Sequence, residues 1–255
     1  MMNNLIIVPD VHCRNFYKPV LKITDKPVVF LGDYMDPYHW EGFSDKEGIE
    51  NLEEIFDYAK NNDNVKLLIG NHDCSWIWSR LGWERTQQKY YKDLHKLYRE
   101  NINLLHPCYK LNDILFTHAG VCKGWIDFMN NRFKHEDSTF RLNQENIVPY
   151  IENEFIQELK NDTASDDHWY GGVLNSPIFY VGACRGGNIP YGGPVWSDFE
   201  YDYADPTDWN LTQIFSHTQR DITGSIGQKG NGYCVDSRAL FEIDLDTKNI
   251  SRFIL

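Results

Sequence analysis

The sequence predicts an α/β fold, because short buried strands alternate with amphipathic helices through the first half of the chain. Its 255 residues are 42% hydrophobic and 15% aromatic, which is enough apolar material to bury a sizeable core. The longest apolar runs are about one strand long, so a membrane-spanning helix is not expected. We therefore expect a single domain over residues 1–255.

In the first half, the strands are predicted by apolar runs that end at proline, glycine or a polar residue. They are Leu5–Val8, Val28–Leu31, Val65–Ile69 and Ile114–Thr117. Apolar side chains recur every three or four positions over Lys46–Lys60 and Thr86–Glu100, which is typical of amphipathic helices. Thr86 is a suitable N-cap for the second helix. This alternation is the pattern of an α/β fold.

The second half of the chain is less regular. A helical period covers Ile147–Leu159, with Pro149 tolerated near its first turn. Seven glycines between positions 171 and 193 predict loops, which often line functional sites. The closing strands are predicted at Leu211–Ser216, Tyr233–Val235, Ala239–Leu245 and Ile250–Leu255.

The net charge and the cysteine content indicate which binding partners and which cellular compartment to expect. A net charge of −12 disfavours general binding to nucleic acids or to anionic membranes. The six cysteines are scattered and form no CxxC motif, so reduced thiols in the cytoplasm are expected. The segment Met1–Asn4 contains no basic region before a long apolar stretch, so no signal peptide is expected.

Potential metal ligands directly follow five of the predicted strands. They are Asp10 and His12, Asp33 and Asp36, Asn71 and His72, His118, and His217. Because ligands bind at the carboxyl ends of strands in open α/β sheets, these side chains can converge. Their oxygen and nitrogen atoms suit Mn, Fe, Zn or Mg. The set is too large for one tetrahedral ion and fits two ions that share a carboxylate.

Five motifs carry these residues in order along the chain. They are Asp10-Val11-His12, Gly32-Asp33-Tyr34-Met35-Asp36, Gly70-Asn71-His72-Asp73, His118-Ala119-Gly120 and His217-Thr218. Together they resemble the metal-site blocks of calcineurin-like metallophosphoesterases, and most closely the bacterial and phage members of the phosphoprotein-phosphatase branch. The blocks span residues 10–218, so the resemblance covers most of the chain. It implies a four-layer α/β/β/α sandwich.

The resemblance also implies a role for each ligand. Asp10 and His12 would bind the first metal, Asp33 would bridge, and Asn71, His118 and His217 would bind the second. His72 would be the general acid, oriented by Asp36. Two divalent ions, most commonly Mn, would activate water for in-line attack on phosphorus. A protonated imidazole can supply the proton that the leaving alkoxide needs.

The sequence departs from the branch at its substrate-binding positions. Pro37 stands where protein phosphatases of this kind carry a phosphate-binding arginine. Arg185, flanked by glycines that permit close approach of the backbone, is the first candidate to replace that arginine, and Arg14 is the second. Near the C-terminus, Arg238 replaces a glycine that related chains often carry.

These residues predict a metal-dependent phosphoester hydrolase. A serine/threonine-type protein phosphatase is one interpretation, and the substrate would be a phosphoprotein, a nucleotide or a small phosphoester. The alternatives are a dinucleoside polyphosphate hydrolase, a phosphodiesterase acting on nucleotides or nucleic-acid ends, and a catalytically weak metal-binding module. The presence of His72 with Asp36 argues against the last, because a binding module needs no general acid.

Overall fold

The structure is a computed structural model that describes residues 4–78, 88–136, 138–162 and 174–254. The strands are β1 (Asn4–Val8), β2 (Val28–Phe30), β3 (Val65–Leu68), β4 (Leu105–His106), β5 (Tyr109–Leu111), β6 (Ile114–Phe116), β7 (Thr212–Phe215), β8 (Gly227–Lys229), β9 (Gly232–Cys234), β10 (Phe241–Asp244) and β11 (Ile250–Arg252). The α-helices are α1 (Asp45–Lys60), α2 (Asn71–Ile77), α3 (Tyr91–Glu100), α4 (Lys123–His135) and α5 (Ile147–Lys160).

The strands form two sheets. The first has six strands in the order β11-β10-β1-β2-β3-β4, and the second has five in the order β5-β6-β7-β9-β8. Strands β1 to β4 pair in parallel, and so do β6, β7 and β9. Parallel pairing places the carboxyl ends of neighbouring strands at the same edge of a sheet. Each sheet therefore presents several strand-end loops side by side.

One hydrophobic core lies between the two sheets. Leu5 and Ile7 of β1 belong to the same buried cluster as Ile114 and Phe116 of β6 and Ile214 of β7. Because side chains alternate along a strand, the intervening residues of β1 face the opposite way. The first sheet is thus covered on both faces, as parallel strands require.

A second core lies between the sheets and the helices. On the first sheet, Ile6 and Val28 share a cluster with Ile55 of α1, and on the second, Phe215 shares it with Trp125 of α4. Helix α1 begins at a capping box, in which the Ser44 hydroxyl accepts a hydrogen bond from the Glu47 amide. The resulting helix–sheet–sheet–helix order is the predicted four-layer sandwich, and the fold class is confirmed.

Several element boundaries differ from the prediction. Helix α3 begins at Tyr91 after a 3₁₀ turn, and Thr86 lies outside the described residues. Helix α4 was not predicted, because Gly124 and two asparagines weaken its helical pattern. Strands β4, β5 and β8 have only two or three residues, too few for a clear alternation of polar and apolar side chains.

Within the described ranges, no helix is both long enough and apolar enough to cross a membrane. All six cysteines are free, and five of them are buried. The structure therefore contains no disulfide among these residues.

Candidate active site

The loops that follow the strands contain residues in left-handed backbone conformations. His12, Asp33, Asp36 and His217 have φ values of 43°, 53°, 62° and 69°. Such values are uncommon for residues other than glycine and cost about 1–3 kcal/mol each. Backbone strain of this kind persists where surrounding contacts enforce it, and here it coincides with predicted metal ligands.

A buried carboxylate holds two of these loops together. Asp73 accepts hydrogen bonds from the backbone amides of Asp33 (2.8 Å), Tyr34 (3.1 Å) and Gly70 (2.8 Å), and from the Tyr98 hydroxyl (2.6 Å). Gly70 allows the close approach of the loops, because a Cβ atom there would collide with the Asp33 carboxylate. Asp73 therefore acts as an anchor for the loops that follow β2 and β3.

His118 stands at the centre of one group of possible metal ligands. Its Nδ1 atom lies 2.8 Å from the Leu31 carbonyl oxygen and donates a hydrogen bond to it, so the neutral ring carries its lone pair on Nε2. This Nε2 atom faces Asn71 Oδ1 at 3.0 Å, His217 Nδ1 at 3.2 Å and Asp33 Oδ2 at 3.5 Å. The lone pairs of His118 Nε2, Asn71 Oδ1 and Asp33 Oδ2 therefore point at one another.

His12 lies in a second group built in the same way. Its Nδ1 atom is 2.8 Å from the Met35 carbonyl oxygen, and its Nε2 atom is 3.5 Å from Asp33 Oδ2 and 3.9 Å from Asp10 Oδ2. The distance from Asp33 Oδ2 to His118 Nε2 is also 3.5 Å. One carboxylate oxygen of Asp33 thus lies between both groups.

The electrostatics of this cluster favour a bound cation. Burial raises the pKa of Asp10 to about 6, against the opposing charge of His118 and with Asp33 adding to the rise. Burial, followed by the charge of His118, holds the pKa of His217 well below its usual range. The buried Nε2 atom of His217 has no hydrogen-bond partner in the part of the chain that the structure describes. Divalent metals bind where desolvated oxygen and nitrogen lone pairs converge, as those of Asp33, Asn71 and His118 do here.

His72 lies next to the His12 group. Its backbone amide donates to Asp33 Oδ1 (2.8 Å), and its ring Nδ1 lies 3.1 Å from Asp36 Oδ2, on a carboxylate that is fully buried. Its ring also meets the His12 ring edge-on, with centroids 5.1 Å apart. Donor atoms of His12, Asp33 and His72 lie within 4.8 Å of one another. The geometry therefore fits His72 either as a general acid oriented by Asp36 or as a ligand.

The family model described as calcineurin-like phosphoesterase matches residues 4–220. The chain belongs to the calcineurin-like phosphoesterase family. The resemblance seen in the five motifs is confirmed, and the protein is a hydrolase that acts on phosphoester bonds.

Solved structures share the fold of this phosphoesterase at low sequence identity. A cold-active protein-tyrosine phosphatase of a psychrophilic Shewanella species has a TM-score of 0.59 and 16% identity, over 100% of this chain and 81% of that one. A 1.1 Å structure of a cold-active protein tyrosine phosphatase gives a TM-score of 0.60 and 16% identity, over 99% and 79% of the two chains. The comparison with curated proteins found no match.

The donor set of this phosphoesterase fits the dinuclear metal site that is typical of the family. In the part of the chain that the structure describes, two groups are close enough to hold an ion, one with His12, Asp33 and His72 and one with Asp33, His118 and His217. Both contain Asp33, the residue that the motifs predict as the bridge. Asp10 is placed beside His12, and Asn71 beside His118, as close neighbours of these groups.

The pocket over the metal ligands has a volume of about 180 Å³ and opens to solvent. Arg185, Arg14 and Arg238 all line it. Arg185 contacts Asp198 Oδ2 at 2.8 Å and the Thr218 hydroxyl at 3.1 Å, and its side chain remains 30% exposed. Because Thr218 directly follows His217, Arg185 lies at the mouth of the pocket beside the second ligand group.

Arg14 is held by a residue that the motifs did not point to. Its Nε and terminal nitrogen atoms lie 2.8 and 3.0 Å from the two carboxylate oxygens of Glu41. Burial opposes ionisation of Glu41, but the hydrogen bond and charge of Arg14 outweigh it, so the pKa of Glu41 is lowered. Glu41 also binds Arg238 (3.1 Å). The one feature of the sequence that pointed to this cluster was Arg238, which stands where related chains often carry a glycine.

Proposed function

We propose that the protein is a phosphomonoesterase that works by direct attack of water with two divalent metal ions bound, most commonly Mn. The observation that carries this proposal is the position of Asp33 Oδ2, at 3.5 Å from both His12 Nε2 and His118 Nε2. Two divalent ions in these ligand groups would activate water and neutralise charge on the phosphoryl oxygens.

The residues of the chain have separate tasks in this proposal. His12 and His118 would bind metal through Nε2, because each ring donates a hydrogen bond from Nδ1 to a backbone carbonyl group that sets its tautomer. His72, oriented by Asp36, would protonate the leaving oxygen. Arg185 would bind the phosphoryl oxygens that face the mouth of the pocket. No covalent intermediate with the chain is required.

Phosphoproteins are the substrate class that we favour, either serine/threonine or tyrosine esters. Tyr38 lines the pocket, and Trp40 stacks on it with ring centroids 4.4 Å apart. Trp40 is 77% exposed, so the rim offers an apolar surface to a peptide or to an aryl ring. The neighbouring structures named above are protein-tyrosine phosphatases, which is consistent with this choice. The free thiols support a cytoplasmic location.

A metal-loaded substrate panel tests the function. The protein is stripped with chelator, loaded with Mn, and assayed on a nitrophenyl phosphate, on phosphoserine, phosphothreonine and phosphotyrosine peptides, on a diester and on a dinucleoside polyphosphate. We expect metal-stimulated turnover that is fastest on a monoester. Preference for the diester or the dinucleotide would favour the alternative hydrolases, and metal binding without turnover would favour a binding module.

Arg185→Ala is expected to raise KM and lower kcat, with a loss of about 10- to 100-fold in kcat/KM, because a charged hydrogen bond contributes about 1.5–3 kcal/mol. Arg185→Lys should restore only part of this loss, since an ammonium group cannot form the two-point contact. Elemental analysis should find unchanged metal content in both variants. Arg220→Ala is the control, because Arg220 pairs with Glu200 and does not line the pocket. Equal losses in the Arg185 and Arg220 variants would contradict the assignment.

A further inference from the structure

Two arginines from distant parts of the chain meet on the pocket wall at one carboxylate. Arg14 follows β1 and Arg238 precedes β10, and both bind Glu41. Glu41 also accepts a hydrogen bond from the backbone amide of Tyr38 at 3.0 Å, which fixes its position within the short helix over His39–Glu41. Its side chain is only 9% exposed. The two guanidinium groups are therefore held beside each other before any ligand arrives.

The two arginines differ in how completely the protein itself pairs their guanidinium groups. Arg14 is 9% exposed, forms a two-point contact with Glu41 and lines the pocket together with Arg238. Arg238 contacts Glu41 through one terminal nitrogen, and its side chain is 28% exposed in the pocket. Its Nε atom is buried without a hydrogen-bond partner in the described part of the chain. A guanidinium group of this kind retains capacity for an acceptor that the fold does not supply.

The backbone of Arg238 points to the same conclusion. Its φ of 51° lies in the left-handed region, which glycine adopts without strain and arginine does not. An arginine at such a position lowers the stability of the fold, and within the described residues Arg238 gains only a one-point ion pair with Glu41. Strained residues cluster at ligand sites, and here the strained position carries its side chain to the pocket that holds the metal ligands.

We propose that Arg14 and Arg238, positioned by Glu41, form a second anion subsite beside the reacting phosphate. The proposal rests on the phosphomonoesterase function given above and adds a substrate class to it. The two guanidinium groups and Glu41 carry a net charge of +1, which matches one singly charged oxyanion. Asp236 is a further carboxylate close to both arginines in the pocket lining. A carboxylate or an internal phosphoryl group has this charge, and both fit a guanidinium fork. The preferred substrate thus carries such a group close to the phosphate that is removed.

Binding of non-hydrolysable phosphonates to the Mn-loaded protein tests this proposal by calorimetry. Propylphosphonate has one anionic end. Phosphonopropanoate and phosphonobutanoate add a carboxylate at two distances, and the monomethyl ester of ethanediphosphonate adds a singly charged phosphonate. We expect at least one of the probes with two anionic ends to bind about 10-fold or more tightly than propylphosphonate. Which probe gains more identifies the second group as carboxylate or phosphoryl.

Arg238→Gly is the decisive variant, because glycine suits the left-handed backbone and should not prevent folding. It should abolish the advantage of the probes with two anionic ends and leave the affinity for propylphosphonate within about 2-fold. The matched control is Lys248→Gly, which removes a cation at another left-handed position, where Lys248 pairs with Asp113 far from the pocket lining. The control should bind all probes as the unmodified protein does.

The outcomes separate this inference from the function on which it rests. If the probes with two anionic ends bind no more tightly than propylphosphonate, or keep their advantage in Arg238→Gly, the second subsite is wrong and the phosphomonoesterase proposal stands. If the Mn-loaded protein binds none of the phosphonates, the proposed function fails at its phosphate site, and this inference fails with it.

Discussion

Asp33→Asn is expected to abolish the binding of two metal ions and to lower phosphoesterase activity by about 10³-fold or more. In the structure, Asp33 Oδ2 lies 3.5 Å from the Nε2 atoms of both His12 and His118. An amide replaces this shared anionic oxygen with a neutral group, and its nitrogen would turn a proton toward the position of a cation. The other oxygen can still accept from the His72 amide, so the loop itself should be retained.

Two measurements check this prediction. The metal content, measured by elemental analysis after Mn loading and gel filtration, should fall from two ions per chain in the unmodified protein to one or none in the variant. Thermal unfolding should show a Mn-dependent stabilisation in the unmodified protein, about 2.7 kcal/mol at 100 times the dissociation constant, that is much reduced in the variant.

The metal-free variant provides an internal check on folding. Without metal, it should be at least as stable as the unmodified protein, because the charge of Asp33 no longer opposes that of the buried Asp10. Asp57→Asn, at an exposed position of α1, should behave as the unmodified protein does in both measurements. Two retained ions and a full Mn-dependent shift in Asp33→Asn would refute the bridging role.

His72→Asn is expected to lower turnover by about 10²–10⁴-fold on esters with poor leaving groups, while both metals stay bound. The reason is that His72 contacts the buried Asp36 carboxylate through Nδ1 and would act as an acid toward the leaving oxygen. Aryl phosphates with good leaving groups need no proton, so the loss on them should be much smaller. Rates across a series of aryl leaving groups, with metal content measured on the same samples, test this.

The same experiment decides between the two roles that the geometry allows for His72, general acid and metal ligand. If His72 is a ligand of the His12 group, the variant will lose one ion, and its activity will fall equally on good and poor leaving groups. Asp36→Asn should show a smaller loss with the same dependence on the leaving group, because it only orients the ring. His106→Asn, on β4, is the control for removal of a histidine.

The strands that carry the metal ligands were predictable because their signal is local. Buried runs such as Leu5–Val8 and Val28–Leu31 are followed by Pro9-Asp10 and Gly32-Asp33, and the structure places β1 and β2 within one residue of these bounds. In a parallel arrangement, the residue after each strand lies at a common edge. Asp33 follows β2 of the first sheet and His118 follows β6 of the second, 85 positions later in the chain. Their convergence therefore also depends on how the two sheets pack against each other.

Helix α4 could not be predicted with the same ease. Its buried side chains, Trp125, Ile126 and Met129, repeat at helical spacing, but they are interrupted by residues of low helix propensity. Trp125 packs against the second sheet, in one core cluster with Phe215, and its indole donates a hydrogen bond to the Pro177 carbonyl. This packing outweighs the low helix propensity. Tertiary contacts of this kind leave no local trace in the sequence.

The sequence by itself determined the fold class, the family and the set of candidate metal ligands. Each of these depends on residues adjacent to a predicted strand, and five such motifs in order leave few alternatives. Only the tertiary structure decided which side chains are paired. Arg14, Glu41 and Arg238 come together through long loops, and Asp73 gathers the amides of two loops that follow different strands. These pairings depend on distances between side chains at the sheet edge, which only the folded structure fixes. Partners that are many residues apart follow no periodic pattern in the sequence, so one cannot be predicted from the other.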